Sequence, residues 1–114
     1  MRIRQLSNPQ PPPPARAMLP NGYNGNIDLH NRPKYKNEDG SISTVKSVGF
    51  NIDGVEVLLP TIANKNGRPV QLTNDEAIAL YKATGKHLGT FKTVAESNAM
   101  AQLIHKHQEK YYGK

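Results

Sequence analysis

The chain contains no cysteine and no tryptophan. Without thiols it has no disulfide framework, no zinc–thiolate site and no cysteine nucleophile. Hydrophobic residues make up 36% and aromatics 6%, and no run of about 18 apolar residues occurs, so no segment reads as a membrane span. The opening residues, MRIRQLSNPQPPPP, are charged and lack an apolar stretch, so they are not read as a secretory signal. Acidic residues are scarce: 9 Asp plus Glu face 15 Lys plus Arg, a formal charge of +6. At 114 residues the chain has room for one small domain.

What is present is unevenly placed. Six of the nine prolines (Pro9, Pro11, Pro12, Pro13, Pro14 and Pro20) fall in the first twenty residues. Proline fixes φ and removes a backbone donor, so Pro11 to Pro14 are expected to form a stiff polyproline II rod. The stretch from Asn21 to Asn26 is turn chemistry without an apolar period. Residues 1 to 26 therefore read as an extended, basic, proline-rich arm, reaching on the order of 80 Å at about 3.1 Å per residue. Charge divides in the same way. Residues 1–36 hold six basic residues against one acidic, a net of +5, whereas residues 37–91 hold five against six, a net of −1.

Residues 27–114 read as a small α+β domain. Asp53-Gly54 between alternating apolar residues predicts a β-hairpin that pairs Ile52 with Val55, Phe50 with Val57 and Val48 with Leu59. Those six side chains share one face, leaving Asn51, Glu56, Gly49 and Leu58 on an opposite face expected to be mostly polar. A second turn, Asn66-Gly67, is expected to return the chain through Val70 and Leu72 as a third strand, with Pro69 confining it to an edge. Two C-terminal helices pack on this hairpin or three-stranded meander. The first has Thr73 and Glu76 as a capping box and Gly85 as its stop. The second repeats the device with Thr93 and Glu96 and runs to about Tyr112, with an apolar stripe of Met100, Leu103, Ile104, His107 and Tyr111. Leu88 and Phe91 are expected to plug the space between helices and sheet.

The chemistry-bearing residues form no recognised constellation. His105 and His107 are two apart on a helix, so they diverge by about 200° and cannot share an ion. His30 and His87 sit in predicted loops without ligand-like neighbours, so no metal and no cofactor are expected. Gly85-Lys86-His87 lacks the first glycine and the Ser or Thr of a phosphate loop, with Leu80 and His87 at those places. Glu76 and Glu96 serve as caps, and Asp39 and Asp53 as turn residues, which leaves Asp28, Glu38, Glu56, Asp75 and Glu109, none in a recognisable hydrolase constellation. The basic arm raises nucleic acid as a partner, through Arg2, Arg4 and Arg16 on phosphates and Tyr23 or Tyr35 on bases.

One resemblance draws these pieces together. Its residues are Asn26 to Pro33, the Asp39-Gly40-Ser41 turn, the Ser43-Thr44-Val45 strand start and the hairpin ending Leu59-Pro60-Thr61. Asp75-Glu76-Ala77 at a helix start, and His87-Leu88-Gly89 with Phe91, complete the set. Over about residues 25–112 the sequence resembles a small module that recurs in virion proteins of tailed bacteriophages, often within larger tail-associated or internal proteins. The resemblance implies no catalytic residue. The expectation is a non-enzymatic virion structural protein, an accessory, decoration or junction subunit of capsid or tail, made in the host bacterial cytoplasm. Its partners would be other virion proteins in a many-copy assembly, contacted through Arg2, Arg4, Pro11, Pro12, Pro13, Pro14, Arg16 and Tyr23. The alternative is a nucleic-acid-associated basic protein, inside the particle or ribosome-like.

Overall fold

The structure, a computed structural model, describes residues 19–112. In chain order the elements are β1 (Tyr35–Lys36), β2 (Ile42–Ser43), β3 (Ser47–Ile52), β4 (Val55–Pro60), β5 (Ile62–Lys65), β6 (Arg68–Gln71), α1 (Asn74–Thr84), β7 (Gly89–Phe91) and α2 (Val94–Tyr112). Antiparallel strands and two helices make the chain α+β.

Two turns organise the strands. Asp53 and Gly54 have φ of 54° and 87°, and Asn66 and Gly67 have 55° and 79°. Two successive residues with positive φ make a type I′ turn, whose twist matches that of the strands it joins. The first turn sets β3 against β4 in the expected register, with Ile52 opposite Val55, Phe50 opposite Val57 and Val48 opposite Leu59. The second turn folds β6 back on β5, Lys65 opposite Arg68.

β6 is not the third strand of a meander. It pairs with β5 as a separate two-stranded ribbon, and β1 and β2 form another. The break comes at Thr61, whose N–H donates to the Lys46 carbonyl (2.6 Å) while its own carbonyl accepts from Leu72 N–H (2.6 Å). The chain therefore turns away from the β3–β4 hairpin between β4 and β5. The third strand of that sheet is β7, from a segment with no strand-like period, with Val57 opposite Thr90 and Leu58 opposite Gly89. Leu88 just before it is buried, as expected of a plug, and its N–H donates to the Leu58 carbonyl (2.8 Å).

The face expected to be polar is the one covered by α2. A Cβ added to Gly49 would lie 3.1 Å from Ser97 Oγ of that helix. Opposite Gly49 in the ladder is Leu58, only 2% exposed. It joins Leu29, Leu88, Met100 and Ile104 in the main core cluster, with Tyr23, Ile27, Val45, Phe91 and Ala101 packed around it. The absence of a side chain at Gly49 lets the helix come close, and one leucine then suffices to anchor that face. Val57 and Leu59 on the other face are also buried, at 2% and 1% exposure, whereas Val55 at the hairpin tip is 41% exposed.

The helices begin as their caps predict. Thr73 Oγ1 accepts from Glu76 N–H, and Glu76 Oε1 accepts from Thr73 N–H (2.8 Å). Gly85, at φ 74°, closes α1 with its N–H on the Tyr81 carbonyl. At α2, Thr93 Oγ1 accepts from Glu96 N–H (3.1 Å), but Glu96 Oε1 reaches one residue further out, to Lys92 N–H (3.1 Å). The buried stripe of α2 is Ser97, Met100, Ile104 and Gln108. Leu103 is 40% exposed, and His107 and Tyr111 lie half-buried at the margin. Two of the four inward positions are polar, which turned the apparent apolar stripe off its true centre. Gln108 is satisfied there: its Oε1 accepts from Thr44 Oγ1 (2.6 Å), and its Nε2 donates to the Leu29 carbonyl (2.8 Å).

Candidate docking site

Arg2, Arg4, Pro11, Pro12, Pro13, Pro14 and Arg16, the residues expected to contact a partner, lie outside the described residues. Tyr23, the remaining one, is half-buried against the core, and its hydroxyl donates to the Ile27 carbonyl (2.7 Å). Burial pushes its phenol pKa up. Its ring packs inward, so contacts with the domain begin within the stretch read as arm.

The chain at this point is clamped. Asn24 Nδ2 donates to the Thr90 carbonyl (3.1 Å), and Asn24 Oδ1 accepts from Thr90 N–H (2.8 Å). One carboxamide thus pairs with the main chain of β7 as a neighbouring strand would. Asn26 Nδ2 donates to the Gly85 carbonyl (3.0 Å) at the end of α1, and its Oδ1 accepts from His87 N–H (2.8 Å). The Asn26 N–H adds a third bond, to the His87 carbonyl (3.0 Å). Between these residues, a Cβ on Gly25 would sit 2.6 Å from the Leu88 carbonyl carbon, so only glycine permits so close an approach.

Arg32 makes a second anchor. Its Nε donates to the Thr44 carbonyl (3.1 Å) and its Nη2 to the Ile62 carbonyl (2.7 Å), while its backbone N–H donates to the Tyr112 hydroxyl (2.9 Å). Among the described residues it has no carboxylate partner. Burial pulls its pKa below the usual guanidinium value, and the Tyr112 and Tyr23 hydroxyls oppose that shift. The Lys34 ammonium lies over the Tyr112 ring, 5.6 Å from its centre.

The histidines separate into different settings. His105 is exposed beside Glu109 (3.2 Å). His107 faces the other way, its ring centre 5.3 Å from that of His30, with Tyr111 4.8 Å from His30. Burial lowers the His107 pKa, and the nearby His30 adds to the effect; burial also lowers that of His87. Among the described residues no group of three or more His, Asp or Glu is arranged to hold a metal ion.

Between α1, the β4–β5 corner and the segment Asn26–Pro33 runs a groove of about 390 Å³. Its apolar wall includes Ile27, Pro33, Pro60, Leu80 and Tyr81, and its polar groups include Asn31, Arg32, Asn64, Lys86 and one acid, Asp28. Sequence reasoning missed it because its walls come from three separated segments. It missed the two clamps for a related reason: a polar side chain that bonds a backbone some sixty residues away leaves no periodic trace. A pair of asparagines flanking a glycine was the one local signal, and it reads equally as a turn. Chemically the site offers hydrogen-bond donors beside apolar rings, an arrangement suited to binding an extended segment. Compared with family models, with curated proteins and with solved structures, the chain matches none.

Proposed function

We propose that this chain is a non-enzymatic structural subunit of a tailed-bacteriophage particle, an accessory, decoration or junction protein, that docks on neighbouring virion proteins through its N-terminal arm. The observation that carries this reading is the clamp on the residues where the arm joins the domain. Asn24 and Asn26 hold that root by four side-chain hydrogen bonds to Gly85, His87 and Thr90. A fixed root shortens the free part of a tether and so limits how far the docked domain can swing, and this root is held at two places.

The residues that carry the resemblance to the virion module also meet in space. Asn26 bonds His87, and Arg32 ties the Thr44 carbonyl to that of Ile62, beside the Leu59-Pro60-Thr61 motif. These contacts give the motifs roles in folding. Within the arm, Arg2, Arg4 and Arg16 give charge-assisted contacts to an acidic surface. Prolines lose little conformational entropy on docking, and repetition on a symmetric particle multiplies a weak contact. Deletion of residues 1–18 is expected to leave the melting curve of the domain in place and to abolish incorporation into particles. A triple Arg2→Glu, Arg4→Glu, Arg16→Glu variant is expected to reduce incorporation. Normal incorporation of the deleted chain would overturn the reading.

A further inference from the structure

We infer that the groove between α1 and the Asn26–Pro33 segment is the receptor for the Pro11–Pro14 run of a second copy of this chain. This rests on the docking-arm reading and adds the receptor to it. A run of four prolines carries carbonyl acceptors and no N–H, so its receptor must supply donors and apolar rings. The groove does both. Tyr81, Pro33 and the exposed Leu80 provide apolar surface, and the Asn31 and Asn64 carboxamides provide donors. Arg32 spends Nε and Nη2 on the Thr44 and Ile62 carbonyls, and among the described residues its other terminal nitrogen has no hydrogen-bond partner.

Size agrees, and one acid of the wall is placed for the arm. Four prolines in the polyproline II form span about 12 Å, and the volume of about 390 Å³ lies in the range of peptide- and ligand-binding clefts. Arg16 follows Pro14 by two residues. Asp28, the one acid of the groove wall, has a side chain 68% exposed, open to Arg16 of the incoming segment.

The copy that supplies the prolines is a neighbour. Pro14 precedes Leu19 by five residues and Pro11 by eight, a reach of about 15–25 Å for the proline run. The chain arrives at its own domain on the α2 side, where a Cβ at Gly22 would lie 3.8 Å from Met100, and no residue of α2 lines the groove. Arm into groove, copy after copy, is a head-to-tail contact, which closes into a ring or continues as a chain according to its rotation.

The absence of cysteine makes the test direct. Full-length Pro12→Cys and full-length Ala63→Cys, the latter in the groove wall, are mixed with oxidised glutathione and the mixed dimer is followed on non-reducing gels. It is expected to form at least about tenfold faster than the mixed dimer of Pro12→Cys with Lys92→Cys, an exposed position outside the groove. A second groove position, Leu80→Cys, is expected to behave as Ala63→Cys does. Equal rates at groove and control positions overturn the groove as receptor. A fast disulfide within single molecules of the double variant Pro12→Cys, Ala63→Cys overturns the second copy in favour of the chain's own arm. If cross-linking fails while deletion of residues 1–18 still blocks incorporation, the receptor falls and the docking arm stands. If the deleted chain is incorporated normally, the docking arm falls whatever the cross-links show.

Discussion

Thr44 and Gln108 are buried and meet through one short hydrogen bond, Thr44 Oγ1 to Gln108 Oε1 at 2.6 Å, with Gln108 Nε2 bonded onward to the Leu29 carbonyl. A buried polar group stripped of its partner costs about 1–3 kcal/mol, whereas replacing both partners with apolar groups of similar shape is close to neutral. Thr44→Val leaves one orphan, the Gln108 Oε1, and is expected to cost about 1–3 kcal/mol. Gln108→Leu leaves three, the Thr44 hydroxyl, the Leu29 carbonyl and the half-buried His107 Nδ1 (3.0 Å from Gln108 Nε2), and is expected to cost about 2–4 kcal/mol. In the double variant only the Leu29 carbonyl and His107 Nδ1 remain without their partner, at a cost of about 1–3 kcal/mol, so its loss falls short of the sum of the single losses by about 2–4 kcal/mol. Urea denaturation followed by far-ultraviolet circular dichroism measures all four proteins, and with no tryptophan the five tyrosines supply the second probe. Additivity within about 0.5 kcal/mol would refute the claim that this pair, and not the packing of each side chain alone, ties the last turns of α2 to the β2–β3 corner.

Three further outcomes follow from the same geometry. Gly25→Ala places a methyl against the Leu88 backbone, which cannot give way as a side chain would, so its cost should exceed the usual 1–3 kcal/mol or so of overpacking; a denaturation midpoint unchanged from the parent would contradict this. Asn26→Ala removes two exposed side-chain hydrogen bonds, costs about 1–2 kcal/mol and speeds amide exchange at His87, whereas protection at His87 equal to that of the parent would mean the clamp is not formed. His107 and His87 are both held below the ordinary histidine pKa, so the unfolded chain takes up protons before the folded one as pH falls. Their contribution to stability is therefore present above about pH 6.5 and lost as pH drops through their folded-state values. Thermal midpoints should decline on acidification, and the slope should be shallower in a His107→Gln, His87→Gln variant; an identical slope would remove these histidines as the cause.

The parts of the fold legible in the sequence were those fixed by neighbours. Asp53-Gly54 set a register because an I′ turn leaves no choice of pairing, and Thr73 with Glu76 set a helix start because both bonds lie within four residues. The central sheet's third strand was not legible, since three residues of β7 are too few to show a period. The stripe of α2 was misplaced because Ser97 and Gln108 are buried for reasons that lie elsewhere, at Gly49, Thr44 and Leu29. The arm's residues were singled out by composition alone. The site that the structure adds, the groove, depends on Arg32 and Asn26 holding one segment against the two that flank it, and their bonds run to backbone atoms that any residue would present.

The double anchorage also makes the domain a mechanical element. Tension on the arm enters at Tyr23–Asn26 and divides at once between the end of α1 and β7, which passes its share to β4 at the middle of the sheet. The load is thus carried by several bonds in parallel instead of one strand being peeled. Should that latch open, the chain from Tyr23 to Leu29 can straighten to at most about 20 Å before the buried Leu29 side chain and the Gln108 bond to its carbonyl take the strain. The subunit would then yield in two steps, lengthening while its core stays closed.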